Sequence, residues 1–355
     1  MALFVALVGL GVRALVAPSI GAAECAPVIC VLMLLGLSDC TIWLAARSEV
    51  YMYMAVCFML GAGTTAAAAA AAGGGGGGDM TGNMTGSVAD PDRHMWTAVK
   101  IVQLGIWIWA CVSKWGEWFP FVVQVMVCNS IVWPFTRQDL HRALFRNHPT
   151  DLRASSLCWY LAHFGTVTEM LFPLMLALGG DSGTAGTTVG ATAGIVDTVG
   201  TGYLAHGGSV VGRVGLFIAI GFHAFIFIQI AAGAPQEWNL FTVINAVFLF
   251  GLRGGLTWED VTAMAAAAPL LAAFLFVVEV VIPCIGHVSS KHVSFLPAMR
   301  YYAGNWPVSV FFVKRTAYHR LANLKTVTGT IHDQVRCSAC SAVQCVQFGA
   351  VRCGV

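Results

Sequence analysis

Charge is scarce in this sequence. Asp, Glu, Lys and Arg make up 10% of its 355 residues, against about 25% in ordinary soluble domains. So few charges cannot cover a soluble surface, which excludes a cytosolic globular enzyme and a chain that is a disordered tail as a whole. The net charge of +2 is too small for a phosphate-backbone partner, so no nucleic acid is expected. Catalytic signatures are absent as well. There is no Gly-x-Ser-x-Gly, Walker loop, dinucleotide fingerprint or Asp-x-x-Asp pair, and hence no motif support for a serine hydrolase, an ATPase or a nicotinamide enzyme. A basic region is missing from the first residues, and Arg13 interrupts the apolar run there. Both weigh against a cleaved signal peptide ending at Ala22-Ala23.

What the chain has is hydrophobicity, at 57% of residues. About 20 apolar residues cross the hydrocarbon core of a bilayer. Spans are predicted near 2–21, 26–46, 50–72, 96–114, 157–179, 210–233, 238–256 and 262–286. A further run, 118–135, is interrupted by Pro120, Asn129 and Pro134, and reads as a re-entrant or interfacial segment. Arg137, Arg142, Arg146 and Arg153 place the connection 136–156 in the cytoplasm by the positive-inside rule. Lys291, Arg300, Lys314, Arg315, Arg320 and Lys325 do the same for the segment after the last span. An even number of spans separates the two basic regions, so the assignments agree. Both termini are then predicted to be cytoplasmic, with Arg47 on the same side.

Two low-complexity stretches interrupt this pattern. Residues 66–78 are alanines followed by glycines, a helix extension and then a flexible linker. Residues 180–209 are rich in Gly and Thr and predict a loose external loop. Asn83-Met84-Thr85 matches the N-glycosylation pattern, and chance is the simpler explanation of so short a motif. Of the twelve cysteines, Cys25, Cys30, Cys40, Cys57, Cys111, Cys128, Cys158 and Cys284 lie in or beside apolar runs and behave as small hydrophobes. Cys337, Cys340, Cys345 and Cys353 fall in a tail without apolar periodicity. Their spacing matches no trusted zinc pattern, and the tail reads as disordered.

Ionisable groups inside spans are costly, and each is a functional candidate. They are Asp39, Lys114, His163, Glu169, His223 and Glu279. Arg13, Lys100 and Arg213 lie nearer span ends or can snorkel. Pro173, four residues after Glu169, cannot donate to the carbonyl of residue 169. That leaves a free carbonyl beside a carboxyl side chain about 18 Å along the helix from residue 157, near mid-membrane. His163 and Thr166 precede Glu169 at steps of three along one ridge. Such a notch suits a proton, a cation or a polar substrate group. The rival reading is a structural carboxylic acid bonded to a neighbouring helix. Glu279 and Pro283 repeat the spacing, but about 25 Å from residue 262, where a solvated interfacial carboxylate is expected.

Lys114 opens an aromatic run through Phe121. It reads as an interfacial belt with a snorkelled lysine paired to a glutamate, or as a site mouth with Lys114 as base or anion binder and the re-entrant segment as lid. His223 and Asp39 read as inter-helix hydrogen-bonding residues. His163, Glu169 and His223 together lack a metal-ligand spacing, so no metal is assigned. The arginines of 136–156 could hold anionic lipid headgroups, although the orientation signal alone accounts for them.

Several blocks resemble a known family. They are Ala46-Arg47-Ser48-Glu49-Val50-Tyr51 with Ala55-Val56-Cys57-Phe58, Ser113-Lys114 with Phe119-Pro120-Phe121 and Asn129, and Ala162-His163-Phe164 with Glu169 and Pro173. Pro235-Gln236-Glu237-Trp238-Asn239 and the specific stretch from Val293 through Leu296-Pro297-Ala298-Met299-Arg300-Tyr301-Tyr302 to Asn305-Trp306 complete the set. Over about residues 30–315 the chain resembles the actinobacterial integral membrane proteins grouped as domain of unknown function 3556. The resemblance implies a polytopic membrane protein without an assigned reaction, with members longer at both ends. The alanine–glycine run is foreign to that pattern, and nothing after about Lys325 matches it. The Ser-Lys and Glu-x-x-x-Pro elements are more weakly similar to the horizontally transferred transmembrane helix group, which includes the vitamin K-dependent carboxylases. That similarity implies intramembrane lipid or quinone chemistry by fold analogy alone.

The expectation is an all-α polytopic transmembrane bundle of about eight spans plus the re-entrant segment. Its parts are helices in 1–72, a linker at 73–95, the main bundle at 96–286, an interfacial segment at 287–325 and the tail 326–355. Glu169, His163 and Lys114 are the candidate catalytic residues, and His223, Arg300 and Trp306 the candidate substrate contacts. No cofactor is indicated, and the bilayer is the expected partner. An intramembrane enzyme acting on a lipid, a small-molecule or ion carrier and a structural component of a membrane complex are the functions left open.

Overall fold

The computed structural model describes residues 2, 3, 5, 6, 8–10, 22–38, 50–61, 91–115, 119–130, 132–179, 209–229, 237–252 and 254–288. Asp39, Arg300, Trp306, the Asn83 motif, the alanine–glycine run, most of the 180–209 loop and the tail cysteines lie outside them.

Among the described residues, three helices are long and apolar enough to cross a membrane (Arg93–Lys114, Ser156–Leu178 and Val210–Gln229). At 1.5 Å per residue the shortest is about 30 Å long, the thickness of the hydrocarbon core. In chain order the elements used below are α1 (Ala22–Ser38), α2 (Val50–Gly61), α3 (Pro91–Lys114), α4 (Phe119–Asn129), α5 (Arg137–Leu144), β1 (Phe145–Asn147), β2 (Asp151–Ala154), α6 (Ser156–Leu178) and α7 (Val210–Gln229). After these come α8 (Glu237–Asn245), α9 (Trp258–Ala267), α10 (Pro269–Phe276) and α11 (Ile282–Val288). The all-α expectation needs one amendment. Within 136–156 the chain forms a short antiparallel hairpin of β1 and β2. The described residues of 118–135 include one helix, α4, which at 11 residues is about 16 Å long and too short to cross.

The run expected as one span over 262–286 is broken. α9 and the helix Pro269–Ile285 meet at 116°. Pro269 disfavours helical backbone in the residue before it, and Ala268 leaves the helix at φ −131°, ψ 66°. Upstream, the Thr257 hydroxyl and the Asp260 carboxylate cap each other's backbone N–H and fix the start of α9. Counting this pair as one span raises the number of candidate spans to four.

The chain divides into two compact units. The first comprises residues 1–106, 172–220 and 244–281. Val50 and Cys57 of α2, Val102 and Ile106 of α3, and Phe172, Leu176, Leu249 and Leu271 are buried in its core. Tyr53 meets Phe274 edge to face at 6.0 Å, and Trp96 stands between Phe58 and Phe248 at 5.5 and 5.4 Å. Gly179 and Gly212 let two backbones approach so closely that a Cβ on Gly179 would collide with Gly212. Small residues permit such crossings where lipid supplies no hydrophobic drive between helices. Two stretches widen into π-helix, Ala246–Leu252 and Val277–Val281.

The second unit comprises residues 107–171, 221–243 and 282–355. Val123, Val127 and Cys128 of α4 pack with Leu140 and Leu144 of α5 and with Cys158 and Ala162 of α6. Gln124, 2% exposed, points its amide at the hairpin and donates to the Leu144 carbonyl at 3.0 Å. Ser155 closes the other side, its Oγ donating to the Ala143 carbonyl at 2.6 Å and its N–H to Leu144 O at 2.8 Å. α5 and the hairpin are thereby fastened to α4 and α6. Along the unit's part of α6, Leu157, Tyr160, Leu161, Phe164 and Leu171 form an exposed apolar stripe at helical spacing, the face a lipid-bathed helix presents.

Candidate functional site

In the second unit, the end of α3 presents Trp107, Cys111 and Lys114. Steps of four and then three place them on one helical face, and each contacts a different group. Lys114 Nζ lies 2.5 Å from both carboxylate oxygens of Glu169 on α6. The side chains are 13% and 4% exposed, so the pair is enclosed by protein. The Lys114 ammonium also stands 5.7 Å from the centre of the Phe119 ring, within cation–π range. One turn earlier, the Cys111 thiol donates to the Thr166 carbonyl at 3.1 Å. Two of the candidate site residues, Lys114 and Glu169, are thus brought together.

His163 lies six residues before Glu169 on α6. Its ring stacks on Trp115 at 6.0 Å and 19°, and meets Trp159 edge to face at 4.2 Å. Trp115 and Trp159 are about half exposed, so one side of this cluster opens away from the protein interior. The buried Nδ1 of His163 meets no hydrogen-bond partner among the described residues. An unsatisfied buried polar atom costs about 1–3 kcal/mol, and in a native protein such an atom calls for an explanation.

His223 is held from both sides. Trp107 Nε1 donates to His223 Nε2 at 2.7 Å, and His223 Nδ1 lies 3.2 Å from Asn239 Oδ1. Nε2 must therefore carry a lone pair and Nδ1 the proton, which is the neutral tautomer. Gln229, one turn and a half beyond, accepts from Trp133 Nε1 at 2.8 Å. The sequence singled out His223 without its partners. Trp107 and Asn239 became recognisable only in three dimensions.

The first unit holds a separate polar group. Glu279 was expected at a solvated interface, but it is 6% exposed and sits in the Val277–Val281 π-turn. Gly105 makes this possible, because a Cβ there would overlap the Glu279 carboxylate. Lys100, discounted as a snorkelling residue, is 5% exposed and donates to the Gly255 carbonyl at 2.9 Å. Gln103 Oε1 accepts from Asn245 Nδ2 at 2.8 Å. Arg93 pairs with Asp260. The sequence signal for this group was a glycine within a run of bulky residues on α3, two and a half turns before Lys114. No group of three or more His, Cys, Asp or Glu side chains is placed to hold a metal among the described residues.

Helical architecture, candidate spans and ion-paired polar side chains within apolar helices define a transmembrane helical protein. Its family is recognisable from sequence. The chain belongs to the family described as transmembrane protein of unknown function (DUF3556), whose profile matches residues 84–197 and 186–347, well over half of the chain. No curated protein and no solved structure matches it.

Proposed function

We propose that this protein is a multi-pass membrane protein of about eight spans that carries out acid–base chemistry on the polar head of a membrane amphiphile, a lipid or quinone-like molecule. The carrying observations are the enclosed Lys114–Glu169 pair and, six residues before Glu169 on the same helix, the unsatisfied Nδ1 of His163. A general acid or base must lie within hydrogen-bond reach of the proton it moves. An amine and a carboxyl in contact can pass one proton between them and offer either form to a substrate. Lys114 would also stabilise negative charge developing on that head. The His163–Trp115–Trp159 cluster supplies the approach, with half-exposed indoles toward the lipid and the histidine nitrogen inside. Arg300 and Trp306 are proposed to meet the substrate from the interfacial segment, and His223 to line the site as a fixed neutral imidazole. The basic connection 136–156 lies at anionic headgroups on the cytoplasmic side, with both termini on that side.

The test compares wild type with Glu169→Gln, Lys114→Gln and His163→Gln in the producing cells and as purified protein in nanodiscs. Lipid extracts and co-purifying lipids are read by mass spectrometry. One amphiphile class should accumulate in all three variants and remain bound to the folded protein. Identical lipid profiles with intact folding would sink the acid–base reading.

A carrier is the second reading, favoured by the break at Ala268 and the π-turn at Glu279. Discontinuous helices frame substrate and ion sites in transporters. Proteoliposomes loaded with a pH-sensitive dye would report proton movement, which Glu279→Gln should abolish on this reading. A flux that is absent in wild type, or unchanged by Glu279→Gln, rules it out.

A further inference from the structure

α5 and the hairpin carry four arginines and two histidines on a body of 18 residues, from Arg137 to Ala154. Arg137, Arg142, Arg146, Arg153 and His148 are exposed, and His141 is half-buried. Two acidic residues oppose them. Asp139 lies 3.9 Å from Arg142, and Asp151 pairs with Arg153 at 2.7 Å. Arg137 and Arg146 form no ion pair among the described residues. Their guanidinium donors face solvent uncommitted. Beside them, Phe135 and Val132 are more than half exposed, and Trp133 stacks on Phe135 at 6.3 Å. Exposed aromatics next to arginines at the end of apolar helices are the composition of a membrane interface. The anchoring through Gln124 and Ser155 presents the surface as a rigid body rather than a loose polybasic loop.

The histidines are neighbours. The rings of His141 and His148 lie 4.4 Å apart, and each also meets the Phe145 ring, at 5.2 and 5.4 Å. The charged and titratable groups around this pair are Arg137, Asp139 and Arg142 on α5, Arg146, Asp151 and Arg153 on the hairpin, and Cys128 on α4, which packs against α5. Positive groups predominate. A positive charge on the His141 imidazole is unfavourable there until an anion arrives, and a bound anion makes it favourable.

We propose that α5 and the β1–β2 hairpin form a binding surface for phosphate-bearing anionic lipid headgroups, held by Arg137 and Arg146 and tightened when His141, packed against His148, takes up a proton. This rests on the reading that residues 136–156 lie at a headgroup layer. Arginine matches phosphate bidentately, and each basic residue near an anionic leaflet adds about 1 kcal/mol, roughly fivefold in affinity. The histidines extend the donor set. By linkage, protons and headgroups strengthen each other's binding by the same factor.

The experiment uses the full chain in nanodiscs of phosphatidylcholine with a minority of phosphatidylglycerol, and counts retained lipids by native mass spectrometry at pH 5.5 and 7.5. Wild type should enrich phosphatidylglycerol, and more so at pH 5.5. Arg137→Gln with Arg146→Gln should cut the enrichment by about fivefold per arginine. His141→Gln with His148→Gln should leave the enrichment at pH 7.5 and remove its rise at pH 5.5. Enrichment indifferent to both double variants would overturn the proposal while leaving the headgroup reading intact. No enrichment in wild type at either pH would overturn both. Loss of enrichment on adding excess inorganic phosphate would reassign the surface to free anions.

Discussion

Lys114, the last residue of α3, places its ammonium 2.5 Å from both oxygens of Glu169 on α6. The two residues are 55 positions apart in sequence and carry opposite charges inside an apolar unit. Desolvating two charges is expensive, and removing one partner strands the other.

Lys114→Met or Glu169→Leu alone should therefore destabilise the protein by about 3–5 kcal/mol. The double substitution should cost much less than the sum of the two. Thermal unfolding in detergent, analysed as a double-mutant cycle, checks this. Additive costs would mean that the pair does not interact in the membrane.

Gly105→Ala should drive a methyl group into the Glu279 carboxylate. Overpacking of this kind costs about 1–3 kcal/mol. Because the clash is with one side chain, Gly105→Ala should be tolerated in a Glu279→Ala background. Equal penalties in both backgrounds would show that Glu279 does not occupy that space.

His223 should be neutral with its proton on Nδ1, since Trp107 donates to Nε2. Nitrogen chemical shifts of the labelled imidazole report the tautomer directly. Trp107→Phe should cost about 1–3 kcal/mol by leaving Nε2 unsatisfied. A spectrum dominated by the Nε2–H form would refute the assignment.

The hairpin should loosen as pH falls, and the histidines rather than the carboxylates set the window. Burial, the neighbouring His148 and the Arg137 charge push His141 below the ordinary 6.5. The folded state then binds fewer protons than the unfolded one, so stability rises with pH and is lost as pH falls below 6.5. Hydrogen bonds from the Arg153 side chain and backbone hold Asp151 down at about 2. Its contribution is complete above 3.8 and disappears only as pH falls toward 2. Hydrogen exchange over 145–154 without anionic lipid should accelerate between pH 6.5 and 5. A transition confined to pH below 4 would assign it to Asp151.

A run of apolar residues carries its own instruction, because the bilayer satisfies it without help from any other part of the chain. Sequence alone therefore determined that this is a membrane protein of the family now matched, and its apolar runs at 96–114, 157–179 and 210–233 fall where the helices Arg93–Lys114, Ser156–Leu178 and Val210–Gln229 stand. It also picked out Lys114, His163, Glu169 and His223, since charge or imidazole within such runs is conspicuous. The tertiary structure decided who meets whom. Helix periodicity tells which face a residue occupies but not which helix stands opposite, so the contact between Lys114 and Glu169 could not be read from it. For the same reason Trp107 and Asn239 went unread beside His223, and Lys100 and Glu279 were assigned to water. Glu279 is buried against Gly105 and Lys100 against the Gly255 carbonyl, contacts between segments distant in sequence that no local pattern records.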